Sequence, residues 1–164
     1  ASPACTPGAV SVGAVYSGNF GGVGWGACTD STTAADKVTC FSNSASFLSV
    51  LAPGAIITAG GVSLGGTSQA APFIAGSVAV LRAAYPAETL DQTVSRITSS
   101  GSPVTDARNG LSKPRLNLQA AAGVGNSETS GSQDVPTLPE WAAILAAALF
   151  MLIVVRRQRP SVAH

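Results

Sequence analysis

Ser68 is the residue whose neighbours best prepare it for chemistry. It stands in Gly65-Gly66-Thr67-Ser68-Gln69-Ala70-Ala71-Pro72, a glycine turn that leads into a long apolar segment. Gly65 and Gly66 permit backbone angles closed to other residues and leave room for another chain to approach, while Pro72 falls in the first turn of a helix, where a missing N–H costs little. The combination presents a hydroxyl at a helix N-terminus. Free N–H groups and the positive end of the helix dipole there would stabilise an oxyanion forming beside Ser68. The plainer alternative is that Ser68 serves only as a helix cap. A serine hydroxyl is a poor nucleophile at neutral pH and needs a base within hydrogen-bond reach, normally a histidine oriented by a carboxylate. The chain has a single histidine, His164, its last residue, beyond an apolar segment and an arginine cluster, so it is not expected to serve Ser68.

Gly66-Thr67-Ser68-Gln69-Ala70-Ala71-Pro72 resembles the nucleophile motif of the subtilisin-like serine proteases, Gly-Thr-Ser-Met-Ala-Ala-Pro-His, with Gln69 in place of the methionine and Phe73 in place of the histidine. Three upstream blocks resemble further family motifs in the expected order. Val10-Ser11-Val12-Gly13-Ala14-Val15 is similar to the Val-Gly-Ala strand, Cys40-Phe41-Ser42-Asn43 to the Phe-Ser-Asn strand, and Leu51-Ala52-Pro53-Gly54 to the Ala-Pro-Gly turn. The resemblance covers residues 3–122 and corresponds to the C-terminal part of the protease domain. It implies that Ser68 is the catalytic nucleophile, that its own N–H supplies half the oxyanion hole, and that the family's Asp, His and oxyanion Asn lie upstream of residue 1. Residue 1 is Ala rather than Met, in keeping with an absent N-terminal portion. The expectation is a fragment of a serine endopeptidase acting on polypeptide substrates, unable to hydrolyse peptides unaided. Members of the family often bind calcium, but no run of carboxylates here has ligand spacing, and no metal or other cofactor is expected.

The elements that must hold Ser68 follow from pattern. Residues 8–15, rich in valine and alanine, read as a buried strand of a parallel sheet, and residues 16–26 as a glycine-rich surface loop without the Gly-Lys-Ser/Thr of a phosphate cradle. Residues 30–37 read as a turn or short helical piece, 38–42 as a strand, and 47–51 and 55–58 as two short strands around a Pro53-Gly54 turn. The segment 70–85 has apolar residues on more than one face and is expected to be a helix buried almost all round, interrupted only by Arg82. Pro86 ends it, and Thr89 begins a second helix with Asp91 in its first turn and Leu90, Val94 and Ile97 as an apolar stripe. Residues 103–112 read as a loop and 115–122 as a last short helix with Leu116 and Leu118 inward. Strands followed by helices give an α/β fold, with the parallel sheet incomplete and an unpaired edge expected to make the fragment fold poorly alone.

Composition narrows the class. The chain is 46% hydrophobic, 10% charged and 5% aromatic with 18 glycines, which describes a globular chain of small residues and tight turns. Three of its nine basic residues are Arg156, Arg157 and Arg159, so the rest of the chain carries six basic against eight acidic groups and offers no basic face for nucleic acid. Cys5, Cys28 and Cys40 leave at least one thiol without a partner in this chain. Cys28 and Cys40 could close a short loop, which would suit an oxidising compartment, with Cys5 left as a thiol whose partner is missing; a buried free thiol or a Cys5–Cys28 pair are the alternatives.

Beyond the domain of residues 1–122, residues 123–134 contain almost nothing to bury and read as a flexible polar linker. Residues 135–159 hold Val135-Pro136-Thr137-Leu138-Pro139-Glu140-Trp141, an uncharged apolar run over 141–155, and then Arg156-Arg157-Gln158-Arg159. The run is shorter than the ~20 residues of an ordinary spanning helix. The linker that isolates it, Trp141 at one end and the arginines at the other nevertheless favour a transmembrane helix with its N-terminal side outside, snorkelling arginines absorbing the shortfall. Motif, apolar helix and arginine cluster together resemble the IPTL-CTERM sorting signal, related to the PEP-CTERM signals of Gram-negative bacteria, with Val135 for isoleucine and Ala142 for glycine. That resemblance implies export to the cell envelope or surface, anchoring by this helix, and processing near residues 136–138 by an exosortase-type membrane enzyme. Two functions remain in view: an anchored subtilisin-like endopeptidase, and an anchored interaction or structural module that kept the protease scaffold without its chemistry. An upstream Asp and His in the same frame would separate them.

Overall fold

In a computed structural model, which describes residues 4–124, the valine-rich stretch near the start is strand β1 (Val12–Tyr16). Two short strands follow, β2 (Val23–Gly24) and β3 (Thr29–Asp30), paired as a hairpin. Strand β4 (Val50–Ala55) lies parallel to β1, with Ala14 opposite Ala52. After the hairpin of β5 (Ile57–Ala59) and β6 (Val62–Leu64) come helices α1 (Thr67–Ala84) and α2 (Leu90–Ser100), the antiparallel pair β7 (Ser102–Thr105) and β8 (Ser112–Arg115), and the short α3 (Leu118–Ala121). The main sheet runs β1-β4-β8-β7, with β4 and β8 also parallel. The architecture is α/β with a parallel sheet, as expected.

Alternation along the strands divides the core. Ala14, Val50 and Ala52 face the helices and pack with Ile74 and Leu81 of α1, Ile97 of α2 and Leu116; Val15 and Leu51 point the other way, to Val38 and Leu48. Both faces of the β1–β4 pair are therefore covered, which is what a parallel pair of buried strands requires. At the far end, the Arg96 guanidinium lies 4.0 Å from the centre of the Tyr85 ring and donates to Glu88 and to the Ala121 carbonyl, pinning α1, α2 and α3 together.

Several expectations are corrected. Helix α1 is not buried all round: Ala70, Ile74, Ser77 and Leu81 form one inward stripe, while Phe73 is 41% and Val80 53% exposed. Its apolar outer face is alanine-rich, and among the described residues nothing packs over it. Pro53 and Gly54 do not make a turn but lie inside β4, where Pro53 sits opposite Val15 and the absent Cβ of Gly54 admits a close neighbour. The loop expected over 103–112 is a hairpin, β7 and β8. Residues 38–42 are not a strand but an irregular segment with an isolated bridge from Val38 to Val15. The last helix is shorter than 115–122, because Arg115 belongs to β8 and Asn117 caps α3 by accepting from the Ala120 N–H at 3.0 Å. In α2, Thr89 forms a capping box with Gln92, but the buried stripe is Thr93 and Ile97, and Leu90 is 59% exposed.

The unpaired sheet edge expected from the sequence falls at β1, the end of the strand order, and is in part closed. Tyr16 N–H donates to the Lys37 carbonyl at 2.9 Å and its own carbonyl accepts from Asp36, while Ala14 accepts from the Thr39 N–H at 3.1 Å and donates to Ser42 Oγ at 2.9 Å. Backbone groups that an edge would expose are thus paired by residues 36–42. Cys28 and Cys40 form a disulfide and Cys5 is an exposed free thiol, which sets aside both the buried thiol and the Cys5–Cys28 pair. The apolar run 141–155 and nearly all of the linker lie outside the described residues; among those described, no helix is long and apolar enough to cross a membrane.

Candidate active site

Four stretches far apart in sequence converge beneath Ser68. Gly66, the first cap of α1, donates its N–H to the Gly54 carbonyl at 2.8 Å. A Cβ on Gly54 would stand 2.6 Å from the Ala14 Cβ and 2.8 Å from the Gly66 carbonyl oxygen, so β1, β4 and the turn before α1 touch there with no atom to spare. Ala14 is itself held by Ser42. The four blocks that stood out in the sequence are therefore one structural unit, and its product is a fixed direction for the start of α1.

Ser68 is the second residue of α1 and is exposed. Gly66 gives the helix no side-chain cap, and among the described residues no acceptor meets the Ser68 N–H, which leaves it free at the positive end of an 18-residue helix. The Gln69 side chain folds back over Gly66, its Oε1 2.6 Å from where a Cβ would stand. Three surface depressions meet at Ser68. One of ≈ 390 Å³ is lined by Ser11, Asn43, Ser44 and Phe47; one of ≈ 310 Å³ by Val10, Val12 and Ala71; and one of ≈ 370 Å³ by Ile57, Ala59, Pro72 and Phe73. Among the described residues, an exposed hydroxyl with an unpartnered N–H beside it thus lies at the mouth of clefts with apolar walls, a geometry that would suit attack on a carbonyl once a base is supplied. Residues 4–124 contain no histidine to take the proton. Among the described residues no group of three or more His, Cys, Asp or Glu gathers as a metal site.

Charged groups stand behind this surface as supports. Asp30 is 7% exposed; burial works to raise its carboxyl, but the Cys40 N–H, the Tyr16 hydroxyl and Lys37 outweigh that and hold it below its ordinary value. Tyr16 is raised, chiefly by burial. The Arg108 side chain bonds Asp106 and depresses its carboxyl to about 2, and the same guanidinium donates to the Cys40 and Ser42 carbonyls at 2.8 and 2.9 Å. This clamp secures the segment that carries Ser42 and Asn43.

Pattern reading singled out Ser68 but passed over the residues that brace it. Trp25 lies in the stretch whose glycines read as a surface loop, yet its ring lies against Gly65. The Arg108–Asp106 clamp lies in residues 103–112, which pattern alone reads as a loop. The hairpin of β5 and β6 also went unread, although Gly60-Gly61, with φ of +60° and +80°, is a turn signal.

A search of curated proteins finds no match to the chain. Residues 1–125 match Peptidase_S8, the Subtilase family. A match over most of the chain's length, joined to four family-like blocks that meet beneath one exposed serine, makes this chain a member of the subtilase family of serine proteases.

Proposed function

We propose that this chain is the C-terminal part of the catalytic domain of an exported serine endopeptidase, with Ser68 as its nucleophile. The observation that carries this reading is the exposed Ser68 hydroxyl at the start of α1, beside its own N–H, which has no partner among the described residues, and at the meeting of three clefts. Ser68 Oγ adds to the scissile carbonyl carbon while its proton passes to a base supplied from outside residues 4–124. The carbonyl oxygen becomes the oxyanion that the Ser68 N–H receives, and collapse expels the amine with that proton to leave an acyl-serine, which water then hydrolyses. Polypeptides are the substrates, and the 164-residue chain alone is inactive for want of the base. The test is peptidase activity. The native product is expected to cleave a casein or peptide substrate and to lose about a thousandfold or more on Ser68→Ala; an unchanged rate would remove Ser68 from the mechanism.

We read residues 141–155 as a single membrane span with the domain outside, in the envelope or on the surface of a Gram-negative cell, and residues 135–159 as the substrate of an exosortase-type sorting enzyme. Trp141 at one end of the run and the three arginines at the other support this orientation. Changing Arg156, Arg157 and Arg159 to glutamate is expected to abolish surface display, measured by protease shaving of intact cells; unaltered display would contradict the sorting role.

A further inference from the structure

We infer that Trp25 is a positioning residue for Ser68, bracing the glycine turn that delivers the nucleophile. The inference rests on the reading of Ser68 above. A Cβ on Gly65 would stand 2.2 Å from the Trp25 ring, so the indole occupies the space that a side chain at position 65 would need, three residues before Ser68. The indole is fixed in two other directions. Its Nε1–H donates to the Tyr16 hydroxyl at 2.7 Å, and its ring meets Phe41 edge-on with centroids 4.9 Å apart.

The hairpin that carries Trp25 is itself anchored. Strands β2 and β3 have only two residues each, too few to hold a hairpin by pairing alone. The Cys28–Cys40 disulfide ties it down, and buried Asp30 accepts from the Tyr16 hydroxyl and the Cys40 N–H, each at 2.8 Å. The turn before α1 needs such support. The preceding hairpin, β5 and β6, is mostly exposed, and within the turn the bond from Gly66 N–H to Gly54 is its link to the sheet. Trp25 lies against Gly65 of the same turn, so the turn is held by β4 at Gly66 and by the indole at Gly65. The requirement for glycine at position 65 is thereby explained by its neighbour: its φ is outside the left-handed region, and space alone forbids a larger residue.

Amide hydrogen exchange on the full chain tests this without needing catalysis. In Trp25→Ala, the amides of Gly66, Gln69 and Ala70 are expected to exchange about tenfold faster or more while α2 and the β7–β8 hairpin keep their rates; Trp25→Phe, which keeps a ring on Gly65, restores most of the protection. Gly65→Ala, whose methyl displaces the ring, gives the same local acceleration and decides the matter should Trp25→Ala fail to fold. Rates that rise uniformly, or that do not change around Ser68, or a phenylalanine no better than alanine, would overturn the proposal. In the native product, labelling of Ser68 by a fluorophosphonate is expected to slow about tenfold in Trp25→Ala and little in Trp25→Phe. Absence of labelling in the unmutated protein would instead defeat the assignment of Ser68 as nucleophile, and the exchange rates would still decide the role of Trp25.

Discussion

A methyl group on Gly54 would meet the Ala14 Cβ at 2.6 Å and the Gly66 carbonyl oxygen at 2.8 Å, and both are held by backbone that cannot swing aside. Gly54→Ala is therefore expected to destabilise the domain by about 3 kcal/mol, read as a shift in the urea midpoint, and to disturb the Ser68 turn with it. Asp106 gives a pH signature. Arg108 holds its folded carboxyl at about 2 against an ordinary 3.8, so the ion pair's contribution is complete above the ordinary value and is lost as pH falls through that interval. Stability of the unmutated chain should exceed that of Asp106→Asn by on the order of 2 kcal/mol near neutral pH, and the gap should close toward pH ~2; a gap independent of pH would mean that the carboxylate's charge is not what matters. At this scale the Gly66–Pro72 motif around Ser68 was legible because it is contiguous. Trp25 was not, because its contact with Gly65 crosses forty positions of chain and no local pattern marks it.

Hairpin β2–β3 owes its place to the Cys28–Cys40 disulfide and the Asp30 network more than to its own pairing. Replacing both cysteines by alanine is expected to remove about 3 kcal/mol, the loop closed being of twelve-residue separation, and to loosen Trp25 before the rest of the domain. Thermal unfolding gives the total, and Trp25 fluorescence in a Trp141→Phe background gives the order of events; a single transition with unchanged indole emission up to the midpoint would contradict a separately held hairpin. The helices and the parallel strand β1 could be read from periodicity and capping residues, Thr89 and Gln92 above all. The β7–β8 hairpin could not, since Ser102-Pro103-Val104-Thr105 and Ser112-Lys113-Pro114-Arg115 are polar and proline-bearing, and only tertiary pairing makes them strands. Pro53-Gly54 misled for the converse reason. Two residues that ordinarily punctuate were placed inside a strand by a close contact that no sequence pattern records.

In the whole molecule, the parallel sheet, the inward stripe of α1 and the exposed start of that helix serve one arrangement, in which β1, β4 and the Gly66 turn aim Ser68 outward. Membership of the subtilase family places that arrangement among serine proteases. The fold was legible in outline because buried strands and amphipathic helices write their periods into the chain. The covering of the β1 edge by residues 36–42 was not, because it depends on backbone bonds from an irregular segment. The measurement that tests the central claim most directly is the intact mass of the native product from envelope fractions after treatment with a fluorophosphonate probe. A species well above 16.2 kDa, carrying one probe adduct that peptide mapping assigns to Ser68, is the expected result. A product that stays unlabelled while other serine hydrolases in the same fraction react would contradict the assignment of Ser68 as a working nucleophile.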